Sequence, residues 1–205
     1  MRCFILILLL SCLEAQSKYP ADSLLISNNT SIIHKIGLLP ISLWQRISYN
    51  SKLFNCQFYP SCSNYGAEAI HKHGIIRGGI IASERITRCN PFAYYYHLAL
   101  RDPFHAEDGR LIDPIKQKES NVSENSPFIA AVLSAILPGS GRVYSGRPMD
   151  GLMGFWTFYL TASSAFDSIK NDRPMAGPIL GATTVYVYLG EIYGAWRSAK
   201  YYQKE

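Results

Sequence analysis

Hydrophobic and polar positions alternate in three different ways along the chain. From Ile32 to Phe54 the residues Ile36, Leu39, Leu43, Trp44 and Ile47 recur at helical spacing with Lys35, Gln45, Arg46 and Ser48 between them. That pattern predicts an amphipathic helix, which Pro40 kinks or restarts. Ser61 to His73 predicts a second helix, entered after Pro60, capped by Ser61 or Ser63 and stopped at Gly74. Ile75 to Arg88 predicts a third, with Ile76 and Ile80 on one side, Ile75, Ala82 and Ile86 beside them, and Arg77, Glu84, Arg85 and Arg88 opposite. The text from Arg101 to Ser126 is polar and acidic, punctuated by Pro103, Gly109 and Pro114, and reads as a linker. Beyond it, the ten residues Phe128 to Leu137 fit a re-entrant or interfacial helix better than a span. Met149 to Phe166 and Ala176 to Tyr193 are eighteen residues each, carry little charge and flank the polar turn Asp167 to Arg173. They predict a transmembrane helical hairpin.

The N-terminus has its own pattern. Arg2 is followed by an apolar run from Cys3 to Leu13, which at about 1.5 Å per residue is too short to cross a hydrocarbon core of about 30 Å. Ala15-Gln16-Ser17 supplies small residues at cleavage-site spacing, so residues 1–17 read as a signal peptide or an interfacial apolar segment. Leu9-Leu10-Ser11-Cys12 also has the outline of a lipoprotein box, with Cys12 as the residue to be lipidated.

Composition narrows the class. Of 205 residues 48% are apolar, 13% aromatic and only 17% charged, against about 25% charged in an ordinary soluble domain. Net charge is +5, and residues 35–101 carry eight Lys or Arg against Glu68 and Glu84. A basic, aromatic segment in an apolar chain points to anionic lipid, and no nucleic-acid motif is readable. A short helix bearing Trp44 and flanked by Lys35, Arg46 and Lys52 suits the lipid interface. The same stripe equally suits a helix whose apolar side faces a protein core.

The most distinctive string is Asn55-Cys56-Gln57-Phe58-Tyr59-Pro60-Ser61-Cys62-Ser63-Asn64-Tyr65. It resembles the signature of the membrane protein insertion efficiency factor (YidD) family: cysteine, polar residue, aromatic pair, proline, small hydroxyl, cysteine, serine, any residue, tyrosine. The resemblance continues through His73-Gly74, Arg85-Ile86-Thr87-Arg88 and Cys89-Asn90-Pro91-Phe92, and covers about Ile36 to Phe92. The motif residues are Cys56, Phe58, Pro60, Cys62, Ser63, Tyr65, Arg85, Arg88, Cys89 and Pro91. The resemblance implies a non-enzymatic accessory role at the cytoplasmic face of the bacterial inner membrane, assisting membrane protein insertion with a YidC-type insertase. The chain departs from the family pattern after Phe92, where Ala93-Tyr94-Tyr95-Tyr96-His97 follows instead of a histidine, a glycine pair and Asp-Pro, with Asp113-Pro114 resembling a displaced remnant, and in its N- and C-terminal additions. The alternative reading is an exported structural envelope protein in which this unit serves for packing.

Other chemistry reads poorly. Cys56, Cys62 and Cys89 with His71, His73 or His97 could supply zinc ligands, but five residues separate the first two cysteines, wider than the usual spacing. No metal or cofactor is expected, and a cysteine–histidine nucleophile has no supporting pattern. Gly141 to Gly146 lacks the Lys and Ser or Thr of a nucleotide loop, since Arg147-Pro148 follows. The run Leu137 to Gly146 ahead of Gly151 more nearly resembles the turn opening small two-span TM2-like membrane domains.

The expectation is therefore an all-α protein: a small helical membrane-associated domain at 32–100, a linker at 101–126, and a membrane domain at 127–205 with a re-entrant segment and two spans. Trp44, Arg46, Arg77, Arg85 and Arg88 are the expected lipid or partner contacts. The hairpin ends carry Arg142, Arg147, Arg197, Lys200 and Lys204 against Lys170 and Arg173 in the turn, a bias that places the ends in the cytoplasm.

Overall fold

The computed structural model describes residues 19–51, 56–115 and 125–202. The readings placed on residues 1–17, including cleavage and lipidation at Cys12, lie outside them. The protein is predominantly helical. In chain order the elements are α1 (Pro20–Ile26), α2 (Ile32–Ser48), β1 (Phe58–Tyr59), α3 (Cys62–Arg88), α4 (Ala93–Ala99), β2 (Leu111–Ile112), α5 (Pro127–Ile136), α6 (Ser140–Tyr144), α7 (Pro148–Lys170) and α8 (Ala176–Tyr201).

The chain divides into two compact units, Met1–Cys56 with Pro60–Gly79 and Gln57–Tyr59 with Ile80–Glu205. This differs from the division expected near residues 100 and 127, because the second half of α3 associates with the C-terminal helices. The helix α3 itself keeps the expected break: Gly74 sits at φ 82°, ψ 174°, a left-handed φ that glycine reaches without a Cβ penalty.

In the first unit, Ser31 caps α2 by accepting the His34 N–H, which satisfies one of the donors orphaned at a helix start. Pro40 lies inside α2 without dividing it. Ala21, Leu38, Ala67 and Ile70 form the core, with Leu24, Leu25, Ile41 and Ile75 packed against it.

In the second unit, β1 and β2 pair in parallel, Phe58 with Leu111 and Tyr59 with Ile112. The expected linker is thus partly ordered structure, and Leu111 and Asp113 are buried. Helices α7 and α8 pack along each other, α5 lies on α8, and α6 contacts both. Ala130, Ala195 and Ala199, with Tyr144 against them, form a tight seam. The hairpin and the short apolar helix fall where the pattern put them. The expectation that the hairpin is transmembrane finds no support: among the described residues no helix is long and apolar enough to cross a membrane. Asp150, Asp167, Glu191 and Arg197, with several Ser, Thr and Gly, dilute the hydropathy of α7 and α8.

Candidate functional site

The helix α2 is turned inside out relative to the usual amphipathic helix. Ile32, Ile33, Ile36, Leu39, Leu43, Trp44 and Ile47 are all exposed, Leu43 at 62% and Trp44 at 47%, whereas Leu38, Ser42, Gln45 and Ser48 are buried. The polar side faces inward, where Gln45 and Ser42 each find partners. Gln45 Oε1 accepts the Ala21 N–H at 3.0 Å, while its Nε2 donates to Asn64 Oδ1 at 2.9 Å and Ser63 Oγ at 3.4 Å. The Ser42 hydroxyl donates to Asp22 Oδ1, and Arg46 Nη2 donates to Asp22 Oδ2 at 2.7 Å. Tyr49 Oη donates to Asn64 Oδ1 at 2.8 Å. Gly37 permits this seating, since a Cβ there would come within 2.7 Å of the Ile75 side chain. A soluble helix buries its apolar side; α2 buries Leu38 and packs Ile41 inward but leaves its larger apolar stripe exposed.

The expected basic contacts separate into two groups. Arg46 is 54% exposed at its side chain while paired with Asp22, and Arg77 is exposed. Burial, with the nearby Arg77 and Lys72 charges, pulls the His73 imidazole below its ordinary pKa. Arg85 and Arg88 are corrected: they are 0% and 2% exposed and cannot reach a headgroup.

Those two arginines belong to an ion network inside the second unit. Glu84 accepts from Arg88 Nε and Nη2 and from Arg197 Nη1 at 3.1 Å, and Arg142 Nη1 approaches at 3.7 Å. Asp113 accepts from Arg85 Nε at 3.1 Å, Arg88 Nη2 at 2.8 Å, Arg197 Nη2 at 3.4 Å and Tyr202 Oη at 3.0 Å. Arg142 grips both oxygens of Glu191 at 3.0 and 3.1 Å, and Asp150 accepts from Arg147 and Asn90, each at 2.7 Å. Burial pushes the Glu84 carboxyl up, but the Arg88, Arg197 and Arg142 guanidiniums outweigh it and hold the pKa at about 2. Asp113 is likewise held well below the usual carboxylate range, with Arg88 the leading charge against its burial. For Glu191 burial prevails over the single strong partner Arg142 and the pKa rises. Arg142, Arg147 and Arg197, counted from sequence as free charges at the hairpin ends, are each paired with a buried carboxylate in this network.

Motif residues divide between anchoring and packing. Phe58 is buried under the Arg85 and Arg88 guanidiniums, 4.9 and 5.8 Å from its ring centroid, a cation–π arrangement. Tyr65 is fully buried, Ser63 takes part in the Gln45 contact, Pro60 is half-buried and Pro91 exposed. Cys56 and Cys62 are half-buried, whereas Cys89 is exposed and receives the Gln57 Nε2 donor at 3.5 Å. The sequence offered no short-range signal for the pairing of Arg142, Glu191 and Arg197, and Asp113 stood out only through the Asp113-Pro114 pair. The available hint was chemical: a carboxylate such as Glu191 within an apolar stretch needs a buried cation.

Comparison with known proteins follows this geometry. The profile of a family described as "Putative membrane protein insertion efficiency factor" (YidD) matches residues 33–97. A protein of that name from Clostridium kluyveri is 62% identical over 58 residues, 28% of this chain and 84% of that one. One from Oleidesulfovibrio alaskensis is 52% identical over 61 residues, covering 29% of this chain and 69% of its own length. Another, from Thermoanaerobacter pseudethanolicus, is 52% identical over 52 residues, 25% and 75% of the respective chains. No solved structure matches.

Proposed function

Because the chain belongs to the membrane protein insertion efficiency factor family, we propose that it is a non-catalytic accessory of membrane protein insertion that docks on the bilayer through the outward apolar face of α2. The observation carrying this reading is the inversion of α2. Seven large apolar side chains face outward while Gln45, Ser42 and Ser48 are spent on internal packing. In water such a face is a liability, and at an interface it is the binding energy, at roughly 25 cal/mol per Å² of apolar area removed from water.

Arg46 and Arg77 supply attraction to anionic headgroups, each worth about 1 kcal/mol near such a surface. The apolar surface of the second unit supports the same location: Phe128 and Ile136 on α5, Phe155, Trp156 and Leu160 on α7, and Ile179 on α8 are exposed. The cytoplasmic face of the inner membrane and a YidC-type insertase, with nascent membrane proteins, complete the proposal. They rest on the family resemblance.

The test is an insertion assay in inner-membrane vesicles depleted of the protein, with a multi-span substrate. Adding back the protein raises the inserted fraction, and a variant with Leu39, Leu43 and Ile47 changed to serine does not. Equal rescue by both would refute the role assigned to α2.

A further inference from the structure

Cys56 and Cys62 lie 3.6 Å apart, sulfur to sulfur, within the first unit. Both are half-buried, and they are not joined by a disulfide. Cys62 is the first residue of α3, and its backbone N–H donates to Cys56 Sγ at 3.3 Å. A helix-start amide aimed at a sulfur favours negative charge on it, and the thiolate is the reactive form. Two thiols are thus held in contact, one of them facing the positive end of a helix. Buried polar contacts of α2 and its C-terminal cap run through Gln45, Tyr49, Ser63 and Asn64.

We propose that Cys56 and Cys62 form a thiol–disulfide exchange site whose co-reactant is a small-molecule disulfide of the glutathione type. The Cys56 thiolate attacks one sulfur of the disulfide, forming a mixed disulfide and expelling one thiolate. The Cys62 thiolate then attacks Cys56 Sγ, closing the protein disulfide and expelling the second. The dithiol loses two electrons, the small disulfide gains them, and the two thiol protons end on the two released thiols. Closing the bond brings the sulfurs from 3.6 Å to about 2.05 Å. The closed form ties residue 56 to the helix start whose next residues, Ser63 and Asn64, receive Gln45 of α2. This chemistry stands apart from the membrane reading, because it needs no lipid.

The experiment uses the full chain in detergent, reduced, desalted and exposed to glutathione disulfide and glutathione at varied ratio, then alkylated, digested with trypsin and weighed. Cys56 and Cys62 share the tryptic peptide spanning residues 53–72, whereas Cys89 falls in the peptide 89–101. The expected product is the 53–72 peptide lighter by about 2 Da, with neither cysteine alkylated, and reversible on adding glutathione. In Cys62→Ser the mixed disulfide accumulates on Cys56, and in Cys56→Ser the remaining thiol reacts at least tenfold more slowly. Far-ultraviolet circular dichroism verifies that both variants are folded. Stable glutathione adducts on both cysteines of the native chain, or a cross-link between the two peptides as the main product, would overturn the assignment. So would equal reaction rates of the two single variants.

Discussion

Arg197 Nη1 donates to Glu84 Oε2 at 3.1 Å across 113 positions of sequence, and both side chains are withdrawn from water. The same guanidinium reaches Asp113, and Tyr202 lies against it with its ring centroid 5.6 Å away. A buried pair of this kind is weak evidence of net stability, yet removing one partner leaves the other charged and desolvated. Arg197→Leu is therefore expected to cost about 3–5 kcal/mol, read as a lowered denaturant midpoint in detergent. A loss below about 1 kcal/mol would mean that water reaches Glu84 in the native state.

Acid should unfold the second unit along a predictable limb. Glu84 is held at about 2 against an ordinary 4.5, and Asp113 is also depressed. A depressed carboxylate contributes stability that is complete above its unfolded pKa and is lost as pH falls toward the folded one. Stability should accordingly decline as pH drops below about 4.5 and continue down toward 2. Glu191 has the opposite sign, since its raised pKa makes protonation relatively favourable to the folded state. In near-ultraviolet circular dichroism against pH, Glu84→Gln should flatten this limb while Glu191→Gln should leave it in place. The reverse pattern would show that the carboxylate assignments are exchanged.

Glycines make room for the network. A Cβ at Gly194 would overlap the Arg142 guanidinium, and one at Gly154 the Glu191 carboxylate. Replacing glycine by alanine in an exposed helix interior gains about 1 kcal/mol, so overlap and propensity predict opposite signs. Gly194→Ala and Gly154→Ala should each destabilise by about 1–3 kcal/mol. A thermal scan showing either variant more stable than the parent would place the ion pair elsewhere.

Much of this architecture was legible in the pattern of residues. Helical spacing located α2, Gly74 marked the break in α3, and the polar turn at 167–173 marked the loop between α7 and α8. What escaped was the direction in which faces point. The stripe Ile36, Leu39, Leu43 and Ile47 looks the same whether it meets lipid or core, and only Gln45, bonded to Ala21 and Asn64, fixes its orientation. Arg85 and Arg88 read as outward contacts because Asp113, which both engage, lies 25 or more positions away, inside a stretch that looks like a linker, and only the Arg88–Glu84 pair is local. Long-range ion pairing leaves no periodic trace.

Headgroup attraction should now rest on Arg46 and Arg77 alone among the four arginines first read, together with Trp44, as lipid or partner contacts. Neutralising both to glutamine should weaken binding to vesicles containing anionic lipid roughly tenfold or more and steepen no response to salt, since about 1 kcal/mol per charge is removed. Arg46→Gln also frees Asp22, so Arg77→Gln alone serves as the cleaner comparison. Flotation with neutral vesicles should be unchanged in both. A loss of neutral-vesicle binding would point to unfolding of the first unit instead.

The outward face of α2 can be read directly through Trp44. A variant retaining Trp44 as its one tryptophan, with Trp156 and Trp196 changed to phenylalanine, would be mixed with anionic vesicles carrying brominated acyl chains. Strong quenching of Trp44 fluorescence, abolished when Leu39, Leu43 and Ile47 are serine, is the predicted result. Trp44 emission that stays unquenched while the protein floats with the vesicles would contradict membrane docking through α2.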